Sequence, residues 1–183
     1  AQSMNYRLCF YILGFYCGET LVGIYSNAVS LSEAVMLFGS SLALVQYSSL
    51  SNNEDDSSSK QFSWKMSKIN GIFTALALLV LCLLPSEVYS FIFGKGFEEI
   101  SQAIRILSIG VLPLSIASNF TQYFYAKGNF KISTFASIIG LVITIIAGLI
   151  LIPKYQLQGA ALAATLSYFT TFAIEFYFFV FRK

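Results

Sequence analysis

From Ile132 to Ile152 the chain carries no charged residue. The hydrocarbon core of a bilayer demands about 20 mainly apolar residues per helix, and this run meets that demand. Five further stretches approach it, at residues 8–25, 29–47, 69–84, 100–126 and 157–181. Barrel strands alternate apolar and polar residues over about 10 positions. These runs are continuous and nearly twice as long. The sequence therefore predicts an all-α integral membrane protein. It is read as one transmembrane domain over residues 1–183, a six-helix bundle.

Composition excludes most other classes. Of 183 residues, 56% are hydrophobic and 11% charged. A soluble domain has about 25% charged residues, so these charges cannot cover a water-facing surface. A formal net charge of +2 without a basic stripe argues against a nucleic-acid partner. Histidine is absent, which removes the commonest metal ligand and general base. Cys9, Cys17 and Cys82 lie in apolar runs, outside any CxxC spacing, and read as small buried hydrophobes. No metal or cofactor is expected. An enzyme is not expected either: there is no DxD pair, no G-x-G-x-x-G and no nucleophile elbow, and Asp55-Asp56 sits among serines. A structural membrane protein without transport activity stays open as an alternative.

The breaks between runs differ in chemistry. Residues 48–68 hold the low-complexity stretch SSLSNNEDDSSSK and read as a water-exposed loop. Residues 85–99, with Pro85, Gly94 and Gly96, read as an interfacial segment at the outer surface. Gly128-Asn129 marks a tight turn. Pro153 is expected to end the fifth helix, with a short turn over residues 153–158. Gly159, Ala163 and Ser167 then recur every fourth position, a small-residue face suited to close helix packing. No signal peptide is expected ahead of the first run.

Lysine and arginine set orientation. With the N-terminus on one side, that side holds Arg7, Lys60, Lys65, Lys68, Lys127, Lys131, Arg182 and Lys183, eight of the eleven; the other holds Lys95, Arg105 and Lys154. The richer side is cytoplasmic. The loop at 48–68 and both termini are therefore placed in the cytoplasm of a multi-pass protein of the cell inner (plasma) membrane.

Several stretches, in order, resemble one family. IPKYQLQGAALAATLSYF, VGIYSNAVSLSEA, FIFGKGFEEISQAIRILSIGVLPLSI and YAKGNFK resemble signatures of the polysaccharide-export flippases, the oligosaccharide-lipid branch, O-antigen type, of a superfamily shared with MATE multidrug exporters. The resemblance implies a MATE-like protein of two six-helix bundles around a central cavity, with this chain as the C-terminal half and an N-terminal bundle missing. It implies export of an isoprenoid-diphosphate-linked oligosaccharide for O-antigen, capsule or exopolysaccharide, with the lipid-linked oligosaccharide and membrane lipid as partners. A multidrug or cation antiporter of the same superfamily is the alternative.

Ionisable groups inside spans are costly and mark function by default. Glu19, Glu33 and Arg105 are set at similar depth in the outer half. Arg105 is the candidate for gripping the diphosphate as a bidentate partner, or else for pairing with Glu19 or Glu33. Ser30-x-x-Glu33 also fits a helix-starting capping box. Asn119 and Gln122 could hydrogen-bond a sugar. Gly110 and Pro113 are hinge candidates in the fourth span. Glu175 is expected to snorkel toward Arg182 at the cytoplasmic end.

Overall fold

The computed structural model describes residues 2–52, 55–94 and 96–181, with side chains from Arg7 onward. Lys95, Arg182 and Lys183, three of the charges used for orientation, lie outside the described residues, as does the tail of the Glu175 expectation. All regular structure among the described residues is helical: α1 (Gln2–Cys17), α2 (Glu19–Ser51), α3 (Asp56–Leu83), α4 (Ser86–Phe93), α5 (Ile100–Ala126) and α6 (Phe130–Phe181). α2, α3, α5 and α6 are long and apolar enough to cross a membrane, and α1 is a shorter apolar helix. The protein is an all-α membrane bundle.

The first break falls elsewhere than expected. It lies at Gly18, not between Tyr25 and Val29. Gly18 has φ +86°, a conformation natural to glycine. The polar Ser26-Asn27 pair does not interrupt α2. Both side chains donate back to the Gly23 carbonyl, at 2.9 and 3.0 Å, and so stay within the helix. Ser30-x-x-Glu33 is accordingly mid-helix and caps nothing.

The loop expected over 48–68 is mostly helix. α2 runs to Ser51, and α3 starts at Asp56 under an Asp55 cap that accepts from the Ser57 and Ser58 amides at 3.1 and 3.2 Å. Ser59, Ser63, Ser67, Asn70 and Thr74 then form a buried stripe, while Ile69, Ile72, Phe73, Leu76 and Leu79 are exposed. In lipid that inversion is the stable arrangement, because apolar side chains belong outside and polar ones need partners. Asn70 donates to the Ser115 carbonyl at 2.7 Å, and Thr74 and Ser115 hydroxyls lie 2.9 Å apart. Gln46 of α2 reaches both the Ser63 hydroxyl, 3.0 Å, and the Asn119 carbonyl, 2.9 Å. A β-carbon at Gly39 would overlap the Asn70 carboxamide, so glycine there lets α2 and α3 close on it.

α5 is the axis of the bundle, touching α2, α3, α4 and α6. It remains one helix through Pro113. Gly110 marks its crossing with α6: an added β-carbon would lie 2.7 Å from Thr165 Cα. Thr165 donates its hydroxyl to the Ile106 carbonyl there, at 2.9 Å.

α6 is folded on itself. The reversal is at Gln156, with φ 49° and ψ −120°, not at Pro153, which still has helical dihedrals. The two arms, residues 130–155 and 157–181, lie antiparallel. Ser167 donates to the Gly140 carbonyl at 2.8 Å, and a β-carbon at Gly159 would overlap the Leu151 backbone. Gly159 and Ser167 meet Leu151 and Gly140 of the first arm, with Ala163 buried between them, whereas Gly148 of the first arm meets Ile12 of α1. The small-residue face read from sequence is the face that packs.

Candidate functional site

Most of the large side chains on the outer surface are apolar. Between α1 and α2 lies an open groove of about 580 Å³, lined by Arg7 and Phe10 from α1 and by Ser26, Val29, Ser30, Glu33, Met36, Leu37 and Ser40 from α2. Serines at 26, 30 and 40 with Glu33 follow helical spacing, so one stripe of α2 faces it. The hairpin is tight at its corner, where a β-carbon at Gly14 would meet Val22 at 3.4 Å. Phe10 stacks edge-on against Tyr25 at 5.2 Å. Tyr25 donates to the Ala160 carbonyl at 3.4 Å, which ties this hairpin to α6.

One cationic and one anionic side chain thus line the same groove. They are not within 4.0 Å of each other: among the described residues the ion pair formed is Lys127–Asp56, at 3.7 Å. Arg7 and Glu33 are available to a third party. A guanidinium suits phosphate or carboxylate oxygens, and hydroxyls flanked by a carboxylate suit hydroxyl-rich ligands.

The family of the lipid II flippase MurJ matches residues 10–183. The chain belongs to this family. It is 29% identical over 180 residues to capsular polysaccharide biosynthesis protein CapF of Staphylococcus aureus, covering 97% of this chain and 46% of that protein. It is 26% identical over 171 residues to an uncharacterized membrane protein, MJ1068, of Methanocaldococcus jannaschii, covering 91% and 34%. It is 24% identical over 162 residues to the probable low-salt glycan biosynthesis flippase Agl15 of Haloferax volcanii, covering 86% and 34%. The chain thus spans less than half the length of these relatives. No solved structure matches it.

Within this MurJ-family bundle the residues singled out from sequence do not form one site. Glu33 lines the groove and is half-buried. Glu19 is exposed in the first turn of α2, where a carboxylate complements the helix dipole. Since α2 begins at Glu19, Glu33 lies about 21 Å further along it at 1.5 Å per residue. The expected common depth is therefore corrected. Arg105 is exposed on the second turn of α5 and is not part of the groove lining. It forms no ion pair with Glu19 or Glu33. Asn119 is buried against Gln46, its amide directed back to the Ser115 carbonyl at 3.4 Å. Gln122 is half-buried. Gly110 serves a helix crossing.

Glu175 is only 2% exposed. The Thr121 hydroxyl sits 2.8 Å from each of its carboxylate oxygens, so it is held inside the bundle between α5 and α6, which overturns the snorkelling expectation. Sequence reasoning missed Arg7, which was counted only as a flanking charge. Its signal was the stripe of serines opposite it, which becomes visible once α2 is known to start at Glu19.

Proposed function

We propose that this chain is the C-terminal bundle of a flippase that carries an isoprenoid-diphosphate-linked oligosaccharide across the inner (plasma) membrane. The cargo feeds a cell-surface polysaccharide of the O-antigen, capsule or exopolysaccharide kind. The groove between α1 and α2 is one wall of the path, and an N-terminal bundle absent from this chain supplies the other in a MATE-like pair. The observation carrying this reading is the Arg7–Glu33 groove, a charged and hydroxyl-lined opening in an apolar surface. Membership of the MurJ family and the flippase and capsule names of the relatives support it.

In this reading Arg7 holds the diphosphate, because an uncompensated charge inside a membrane protein costs several kcal/mol. Glu33, Ser26 and Ser30 take sugar hydroxyls, and Arg105 stands at the outer rim. A cation antiporter is the second reading, favoured by the unpaired carboxylate of Glu33 in the same groove.

The test is export by the chain co-expressed with a matching N-terminal bundle. Arg7→Gln should lower export at least tenfold with the protein still inserted, Arg7→Lys should retain part of it, and Arg105→Gln should cost less than Arg7→Gln. Normal export by Arg7→Gln refutes the diphosphate role. Loss of proton- or sodium-driven cation efflux in Glu33→Gln, with glycan export intact, favours the antiporter. Single cysteines at Lys60, Lys131 and Lys154 test orientation: an impermeant thiol reagent outside the cell should reach only the last.

A further inference from the structure

A second opening lies away from the α1–α2 groove. A hollow of about 370 Å³ between α3, α5 and the second arm of α6 is walled by Trp64, Gly71, Ile72, Phe120, Phe172 and Phe176, with Lys68 at its edge. Two further hollows, of about 490 and 420 Å³, meet it at Trp64. One is bordered by Lys65 and Lys68, the other by Lys60 and Phe179. One face of α3 thus presents Lys60, Trp64 and Lys68 at successive turns, then the apolar cleft beside Gly71 and Ile72. From Lys60 to Ile72 is about 18 Å of helix, close to the ~15 Å depth of one leaflet's hydrocarbon.

The charges on this face are not neutralised. Lys60 donates to the Val180 carbonyl at 3.4 Å and lies 5.6 Å from the Phe179 ring centre, and Lys68 lies 5.6 Å from that of Trp64. None of Lys60, Lys65 and Lys68 is ion-paired among the described residues, and nearby Asp56 is engaged by Lys127. Three ammonium groups around an indole sit directly above an aromatic cleft open to the surroundings. Lys68, one turn beyond Trp64, brings its ammonium back to the indole, so the cations surround the interfacial ring and the apolar slot follows, as phosphate, glycerol and acyl chain do in a phospholipid.

We propose that this face binds one anionic glycerophospholipid. Its phosphate lies among Lys60, Lys65 and Lys68, its glycerol lies at Trp64, and one acyl chain occupies the cleft between Ile72, Phe120 and Phe176. Charge complementarity selects this occupant over a protein segment: an apolar helix fills the cleft but leaves three ammonium groups without a counter-charge. The site is separate from the proposed transport path and stands whether or not the chain moves glycans.

Trp64 is the chain's single tryptophan, so its fluorescence reports on this site alone. The whole chain is reconstituted in vesicles in which either phosphatidylglycerol or phosphatidylcholine carries brominated acyl chains, which quench an indole on contact. Brominated phosphatidylglycerol should reach half-maximal quenching at a mole fraction at least fivefold lower, since one lysine at a membrane surface contributes about that factor. In Lys60→Gln/Lys68→Gln the preference should fall below twofold while the phosphatidylcholine curve stays unchanged, which also reports an intact cleft. Excess soluble glycerol phosphate should displace neither lipid. Coincident curves in the unaltered chain overturn the proposal, as does a preference that survives the double substitution. Displacement by soluble glycerol phosphate overturns it by reducing the site to a phosphate patch. Quenching by neither lipid overturns it by showing the cleft covered by another segment or a second copy.

Discussion

The α1–α2 hairpin and the α6 hairpin begin alike and end differently. Each is an antiparallel pair reversing at one residue with positive φ, Gly18 at 86° and Gln156 at 49°. Each carries a stripe at helical spacing on its inner face. In α6 the stripe is Gly159, Ala163 and Ser167, met by Leu151 and Gly140 of the other arm, and the arms close until backbone meets backbone. In α1–α2 the stripe is Ser26, Ser30, Glu33 and Ser40, faced by Arg7, and the pair stays apart around about 580 Å³. Topology is shared. Side-chain size and charge decide whether the seam is a wall or an opening, because lipid supplies no hydrophobic pressure to force a poor fit shut.

Breaking the closed seam should have the largest effect. Gly159→Leu places a side chain into the Leu151 backbone and should destabilise the bundle by about 3 kcal/mol or more. Ser30→Leu, in the open groove, should stay within about 0.5 kcal/mol. Unfolding in mixed micelles by a denaturing detergent measures both, and equal losses would abolish the distinction drawn between the hairpins.

The two corners give a second, opposite pair of outcomes. Gln156 holds a conformation that glycine adopts freely, so Gln156→Gly should stabilise by about 1 kcal/mol. Gly18→Ala should destabilise by about as much. A neutral Gln156→Gly would mean that the α6 corner stores no strain.

A smaller effect is expected from single hydroxyls. Ser167→Ala removes the bond to the Gly140 carbonyl and should cost about 0.6 kcal/mol, the usual size for such bonds between membrane helices. Ser40→Ala in the groove should cost less, since that hydroxyl only returns to its own helix at Met36.

The smallest change lies outside both hairpins and calibrates them. Hydrogen bonds from Ser57 and Ser58 hold the exposed Asp55 carboxyl below the usual carboxylate range. A lowered value in the folded state means that the cap is fully present above the ordinary aspartate range. It is lost as pH falls through the lowered value. Between pH 5 and 8 the α3 terminus should therefore not respond to pH. Asp55→Ala should speed amide exchange at Ser57 and Ser58 alone, and Asp55→Asn should not.

Sequence reading captured what depends on long apolar runs and small-residue periodicity. The bundle class, the helical extent of α5 and the packing face at Gly159, Ala163 and Ser167 were all legible. It failed where polarity was equated with water. Ser26-Asn27 looked like a break because such residues favour turns, yet their bonds to Gly23 keep them helical. The serines after Asp56 looked like a loop, yet at four-residue spacing they form an interior stripe. The site suffered from the same error. Misplacing the first break put Glu33 at the wrong depth and hid Arg7 opposite it. Partners such as Gln46 with Asn119, 73 residues apart, have no local signature.

The buried stripe of α3 also bears on how the protein is made. A segment leaving the translocation machinery alone would expose Asn70 and Thr74 to acyl chains without their interhelical partner, whereas Ser63 and Ser67 donate within their own helix. That partner, Ser115, is encoded more than 40 residues later in α5. We expect α3 to linger at the exit channel, or against α2 through Gln46, until α5 is synthesised. The two then enter the lipid as a pair, and substitutions such as Asn70→Leu should advance the moment of α3's release in a force-profile measurement during translation.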